Sequence, residues 1–89
     1  MSTKKIVELP SGKRVLDWSD REMPNVNQWY LTKDTGTDFW KIQKDFHCEE
    51  TNETYFRIVE YYDGMIMYSA ETLTRCRMLM RENTYRSVI

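Results

Sequence analysis

The hydrophobic and polar residues in the second half of the chain follow two different periods. Residues 39–46 and 55–62 alternate between apolar and polar side chains, which is typical of half-buried β-strands. After residue 70, apolar residues recur at spacings of three and four, as on one face of a helix: Leu73, Cys76, Leu79 and Met80. The pattern therefore predicts an α+β fold, an antiparallel meander of three to five strands with one C-terminal helix packed on one face.

Turn residues divide the 89-residue chain into four segments of a single domain. Pro10-Ser11-Gly12-Lys13 interrupts two short apolar stretches and predicts an N-terminal hairpin over residues 6–18, which can extend the sheet. Residues 19–28 are polar and contain Pro24, so we predict a connector there, the most mobile segment of the chain. The meander covers residues 29–68, and the helix covers residues 70–83.

Local signals place the last turn and the helix ends. Asp63-Gly64 favours a two-residue hairpin turn, and residues 65–68 then form the third strand of the meander. Ser69 is predicted to cap the helix, with Glu71 in the first turn, because a hydroxyl and a negative charge both stabilise a helix N-terminus. Asn83 is predicted to end the helix, and Met78 falls outside its apolar stripe.

The alternation also predicts which strand residues face the helix. The simplest pairing buries one set of apolar side chains, consisting of Trp40, Ile42, Phe46, Phe56, Ile58 and Tyr62. The other face then carries Lys41, Gln43, Tyr55, Arg57 and Tyr61. A shift of one residue in the pairing exchanges the two faces, so the assignment depends on the register.

Charge is distributed unevenly, although the net charge is only −1. Residues 45–70 contain one basic and six acidic residues, and residues 71–89 contain four arginines and two glutamates. The acidic residues concentrate in a polar loop predicted over residues 47–54, which includes Glu49, Glu50 and Glu53. An acidic run of this kind is usually a solvated surface, and it is also a candidate contact for a basic partner.

Catalytic chemistry finds little support in the sequence. His47 and Cys48 are adjacent, and neighbours on a strand point to opposite faces, so they are badly placed as a nucleophile and base. The cysteines and the histidine lack the spacing of a structural zinc site. Each of the three glycines is explained by a turn, so the sequence shows no glycine-rich phosphate loop. We therefore expect no enzyme, no catalytic residue, no metal and no cofactor.

Cysteine usage and hydropathy indicate a compartment. Cys48 and Cys76 are too few for a disulfide framework, and the chain contains neither a signal-peptide-like stretch nor an apolar run that could span a membrane. The sequence thus predicts a cytoplasmic protein with reduced thiols and no membrane association.

Binding is the remaining class of function, and a protein is the favoured partner. Trp18 and Trp29 flank the connector, and tryptophan, tyrosine and methionine are enriched in the cores of protein interfaces. The candidate contact residues are Trp18, Trp29, Lys41, Tyr55, Arg57, Tyr61, Glu49, Glu50 and Glu53. We predict a small non-enzymatic regulator or inhibitor that occupies a partner's surface, as accessory proteins of phages and mobile elements do. A homodimer formed through an edge strand or Met78 is a further possibility.

A nucleic-acid-binding module is the alternative. The predicted outer face combines Lys41 and Arg57 with tyrosine rings, and bases can stack on such rings while phosphates pair with the cations. A three-stranded sheet followed by a helix resembles, in element order alone, the DNA-binding domains of integrase arms. The net charge of −1 argues against this alternative, because phosphate binding requires surplus positive charge.

Overall fold

The computed structural model describes residues 6–88 and confirms the α+β class. The described chain forms seven strands and one helix: β1 (Ile6–Glu8), β2 (Arg14–Leu16), β3 (Tyr30–Leu31), β4 (Phe39–Cys48), β5 (Glu53–Glu60), β6 (Ile66–Glu71), α1 (Leu73–Asn83) and β7 (Ser87–Val88). Residues 1–5 and residue 89 lie outside this description.

The strands form two antiparallel sheets. The larger sheet has the order β3-β4-β5-β6, and the smaller one has the order β1-β2-β7. The sequence allowed the N-terminal hairpin to extend the meander, but the hairpin belongs to the smaller sheet. Its second strand pairs with the C-terminal strand, with Val15 opposite Val88. The two ends of the described chain are joined in this way beside the main sheet.

The main core lies between α1 and one face of the larger sheet. Ile42 and Ile58 are paired across β4 and β5, and both are fully buried. Cys76, Leu79 and Met80 of α1 pack with them, which confirms the predicted helical stripe. Full burial of an aliphatic side chain contributes roughly 1.5–3 kcal/mol, so these few contacts dominate the packing of α1. Met78 lies outside the stripe and is exposed, as predicted.

A second cluster packs the smaller sheet against one end of the larger one. It consists of the buried residues Leu9, Val15, Leu31 and Tyr85, with Phe39 packed against them. Because this contact is confined to the Phe39 end of β4, residues 6–88 place no second layer over most of the sheet face opposite α1. The molecule is accordingly flat, 48 × 36 × 15 Å, with a radius of gyration of 14.0 Å, against about 12 Å for a compact domain of this length.

The predicted burial of Phe46 and Tyr62 is wrong, and a bulge explains the first error. Lys44 pairs with Phe56 but Phe46 pairs with Tyr55, so Asp45 is an extra residue in β4. The alternation of faces shifts by one at this point, which places Phe46 beside Tyr55 on the exposed face. Tyr62 follows the end of β5 and lies exposed in the next turn.

The turn after β5 is also wider than predicted. Residues 61–64 form a four-residue loop closed by a 2.8 Å hydrogen bond from the Glu60 amide to the Met65 carbonyl. Gly64 has a positive φ of 67°, whereas Asp63 does not adopt the left-handed conformation that a two-residue type I′ turn requires. The Glu60 carboxylate accepts hydrogen bonds from the amides of Tyr62 and Asp63, and these bonds stabilise the wider loop.

The helix begins three residues later than predicted. Residues 69–71 continue β6, in which Glu71 pairs with Phe56, so Ser69 is not the N-cap and Glu71 is not in the first turn. Thr72 is the cap, and its hydroxyl accepts a 3.1 Å hydrogen bond from the Arg75 amide. A long-range contact keeps the chain out of the helix, because the Asp45 carboxylate accepts a 2.9 Å hydrogen bond from the Ala70 amide. The predicted end of the helix at Asn83 is confirmed.

The connector, which the sequence predicts to be mobile, is tied to its surroundings at several points. Ser19 and Pro24 are buried. The Asn27 amide donates to the Ile42 carbonyl at 2.7 Å, and the Arg81 guanidinium donates to the Ser19 carbonyl at 2.9 Å. Glu22 forms an ion pair with Arg86.

The helix start can be tested with two alanine variants. Thr72→Ala removes the capping hydroxyl and is expected to lower the free energy of unfolding by about 1 kcal/mol. Ser69→Ala lies at an exposed position of β6 and is expected to change it by less than about 0.5 kcal/mol. Urea denaturation of both variants measures these values, and a larger loss for Ser69→Ala would contradict the observed helix start.

Candidate binding face of the four-stranded sheet

The face of the four-stranded sheet opposite α1 is called the outer face here. Ile42 and Ile58 point to α1, so their strand neighbours point away from it. The predicted residues Lys41, Tyr55 and Arg57 therefore share the outer face, and Tyr61 follows directly after β5 on the same side. Their position agrees with the expectation from the sequence, and their role in binding stays a prediction.

Four aromatic residues meet at one end of the outer face. This aromatic cluster consists of Trp29, Phe39, Tyr61 and Tyr62. The ring centroid of Tyr61 lies 5.0 Å from that of Trp29, 5.9 Å from that of Phe39 and 5.1 Å from that of Tyr62. All three ring pairs have edge-to-face geometry. Edge-to-face pairs stabilise one another by about 0.5–1.5 kcal/mol, so the rings hold each other in place.

The aromatic cluster is open to solvent. Tyr61 is 51% exposed and Tyr62 is 65% exposed. The Lys41 ammonium lies 4.5 Å above the centre of the Trp29 ring, where the negative face of the indole attracts a cation. The end of the sheet thus presents large flat rings together with polar hydroxyl and ammonium groups.

Alternation in β3 separates the two tryptophans that the sequence grouped together. Tyr30 faces the core, so the preceding Trp29 points to the outer face. Trp18 lies on the other side of the sheet, with its ring 5.1 Å from Tyr30 and its indole donating a 2.9 Å hydrogen bond to the Thr84 carbonyl. Trp18 and Trp29 therefore cannot belong to one contact surface.

The Glu60 carboxylate supports the loop that carries Tyr61 and Tyr62. Burial acts to raise the pKa of Glu60, but the hydrogen bonds from the amides of Asp63 and Tyr62 outweigh it and leave this pKa lowered. Burial raises the pKa of the neighbouring Asp38, and the negative charges of Glu60 and Asp63 add to this effect. Glu60 thus stays ionised and keeps the loop closed at neutral pH.

An ion pair occupies the middle of the outer face. The Arg57 guanidinium donates to Asp45 at 2.7 Å, and the second carboxylate oxygen of Asp45 accepts from the Ala70 amide at 2.9 Å. The Ala70 hydrogen bond is the main reason why the pKa of Asp45 is lowered, and Arg57 lowers it further against the opposing effect of burial. The charge of Arg57 is therefore largely compensated within the protein.

The predicted acidic run lies at the other end of the sheet. Glu49 and Glu50 are exposed in the turn between β4 and β5, and Glu53 begins β5, where it accepts a 2.9 Å hydrogen bond from the Tyr55 hydroxyl. Nine residues of β4 separate this turn from Phe39 of the aromatic cluster, a distance of roughly 30 Å. The acidic run and the aromatic cluster are therefore two separate parts of the surface.

His47 and Cys48 do not form a catalytic pair in the structure. The His47 Nδ1 atom is 2.9 Å from the Thr54 hydroxyl. Cys48 is hydrogen-bonded with Thr51, which lowers the pKa of the thiol. Within residues 6–88, no three His, Cys, Asp or Glu side chains come close enough to hold a metal ion. The helix in this part of the chain is too short and too polar to cross a membrane.

The sequence did not identify Phe46 and Tyr62 as exposed ring residues. Phe46 stacks beside Tyr55 with their centroids 5.1 Å apart, and Tyr62 extends the aromatic cluster. For Tyr62 the position beside Asp63-Gly64 was an available signal, because a wider turn places this residue outside the strand. For Phe46 no local signal exists, because the bulge depends on Asp45 contacting β6.

Comparisons with known proteins identify no relative of this chain. No protein-family model matches it, and no curated protein or solved structure is significantly similar to it.

The Asp45 contacts make a pH-dependent contribution to stability. A pKa lowered by folding means that the carboxylate stabilises the protein above the ordinary aspartate value of about 4, and that this contribution is lost as the pH falls through the folded value. Asp45→Asn is therefore expected to lower the urea midpoint at pH 7, and the difference from the unmodified protein should shrink as the pH falls below about 4. Asp34→Asn, at an exposed turn position, is the control. If Asp45→Asn lowers the urea midpoint by the same amount at pH 7 and at the lowest pH, the Asp45 carboxylate does not stabilise the protein through its charge.

Proposed function

We propose that this protein is a small non-enzymatic regulator or inhibitor that binds a protein partner through the outer face of its four-stranded sheet. The observation that carries this proposal is the aromatic cluster at the Phe39 end of the outer face, where Tyr61 and Tyr62 stay exposed beside the contact with the smaller sheet. Tyr61 and Tyr62 are more than half exposed although they belong to a packed group of four rings. Exposed aromatic groups of this kind commonly mark interaction sites.

The composition of the cluster favours a protein partner. Tryptophan and tyrosine dominate binding hot spots, because they bury a large area and carry a polar group that can pair with the partner. The rings of this cluster are already held by one another and by the Glu60-capped loop. Little conformational entropy is lost when such preorganised side chains bind, which favours affinity. The free thiols of Cys48 and Cys76 fit a partner in a reducing compartment.

The nucleic-acid alternative has weaker support. The tyrosine rings could stack on bases, but Arg57 is paired with Asp45, and Lys41 lies on the Trp29 ring. The far end of the sheet carries Glu49, Glu50 and Glu53, which repel phosphate. Phosphate contacts supply most of the affinity for nucleic acids, and few cations on this face are available for them.

Affinity capture with matched variants tests the proposal. We expect the unmodified protein to capture a stoichiometric protein partner from a lysate of its source, with and without nuclease. The double variant Tyr61→Ser and Tyr62→Ser should lose it, since loss of a hot-spot residue costs about 2 kcal/mol or more, which corresponds to about 30-fold in affinity. Ile6→Ser, at an equally exposed apolar position of the smaller sheet, is the control and should retain the partner.

Two outcomes would contradict the proposal. Capture that disappears with nuclease and weakens steeply between about 50 and 200 mM salt would identify the nucleic-acid alternative. A partner that binds the tyrosine double variant as tightly as the unmodified protein would show that the aromatic cluster is not the contact surface.

A further inference from the structure

A cleft of about 540 Å³ lies on the α1 side of the molecule, away from the outer face. It is bounded by the helix, by the connector and by the segment that follows β3. Its volume falls in the range of roughly 300–1,000 Å³ that is typical of ligand sites. No step of the proposed function depends on this cleft, so its role can be considered independently.

Two arginines line the cleft without a counter-ion among the described residues. Arg77 and Arg81 are four residues apart and share one side of α1. Each is oriented by a backbone carbonyl, since Arg77 donates to Pro24 at 3.3 Å and Arg81 donates to Ser19 at 2.9 Å. In residues 6–88, the ion pairs within 4.0 Å involve other cations, among them Lys33, which is paired with Asp17. Both arginine charges are thus held in place and remain available to an anion.

Apolar side chains complete the cleft. Trp18 is fixed by its hydrogen bond to the Thr84 carbonyl and by packing on Tyr30. Met23 and Met78 also line the cleft, and each leaves about half of its surface exposed, at 52% and 49%. Methionine adapts its shape to different apolar groups, so these two side chains can enclose a bulky aliphatic or aromatic residue.

We propose that the cleft binds an acidic peptide segment in which a bulky apolar side chain lies next to a carboxylate. The carboxylate pairs with the guanidinium groups of Arg77 and Arg81, and the apolar side chain packs against Trp18, Met23 and Met78. A nucleic-acid strand fits less well, because a phosphate backbone carries no bulky aliphatic side chain for Met23 and Met78.

Nuclear magnetic resonance with a defined probe tests this proposal. The probe is a short blocked peptide of Glu-Glu-Leu repeats, titrated into the isotope-labelled full chain. Trp18 lines the cleft, whereas Trp29 and Trp40 do not, so their indole signals serve as internal controls. We expect saturable shifts of the Trp18 indole signal with a Kd below about 1 mM, and weaker binding of Glu-Glu-Ser and Lys-Lys-Leu peptides.

Variants separate the charged and the apolar contributions. Arg77→Gln with Arg81→Gln is expected to weaken binding of the Glu-Glu-Leu peptide by about tenfold, while Arg75→Gln on the same helix, outside the cleft, leaves it unchanged. Met78→Ser alters only an exposed side chain and should remove the preference for leucine over serine. The Trp18 indole signal shows whether the arginine double variant is folded. If it is not, Met78→Ser still tests the proposal.

Three results would overturn the proposal. The first is the absence of a saturable Trp18 shift with the Glu-Glu-Leu peptide. The second is equal binding of the Glu-Glu-Ser peptide, which would leave the apolar lining without a role. The third is tighter binding of an oligothymidylate strand than of the peptide, which would assign the cleft to nucleic acid.

Discussion

The packing of one short helix on one face of a four-stranded sheet determines the rest of this structure. Cys76, Leu79 and Met80 of the 11-residue helix bury Ile42 and Ile58 on one face of the sheet. Trp18 and Val26 pack beside them on the same core. Because residues 6–88 cover the outer face only at its Phe39 end, the rest of that face is open and the molecule is flat. The aromatic cluster and the cleft beside α1 lie on opposite sides of this sheet.

The period of the apolar residues was sufficient to predict the fold class, the paired β4 and β5, and the buried stripe of α1. These features depend on local alternation and on the preference of apolar side chains for the core. Apart from the turn after β5, which local hydrogen bonds to Glu60 widen, the errors share a cause, which is contact between residues far apart in the chain. Asp45 bonds to Ala70, 25 residues away, and this contact accompanies both the bulge that exposes Phe46 and the later start of the helix. The smaller sheet also joins the two ends of the chain, which no local pattern indicates.

The candidate site was predicted less completely than the fold. Alternation placed Lys41, Tyr55 and Arg57 on one face, but it could not show that Asp45 would compensate Arg57 or that Lys41 would lie on Trp29. Trp18 and Trp29 are close in sequence and yet lie on opposite sides of the sheet. The result is a molecule with two distinct surfaces, an aromatic one on the outer face and a cationic, apolar cleft beside α1, each suited to a different chemical partner.

Hydroxyl-radical footprinting, read residue by residue by mass spectrometry, reports which face of the four-stranded sheet solvent reaches. We expect rapid modification of Tyr61, Tyr62 and Phe46 on the outer face, together with strong protection of Met80 and Ile58 under the helix. Protection of Tyr61 and Tyr62 as strong as that of Met80 would show that the outer face is covered, and would contradict an exposed aromatic cluster.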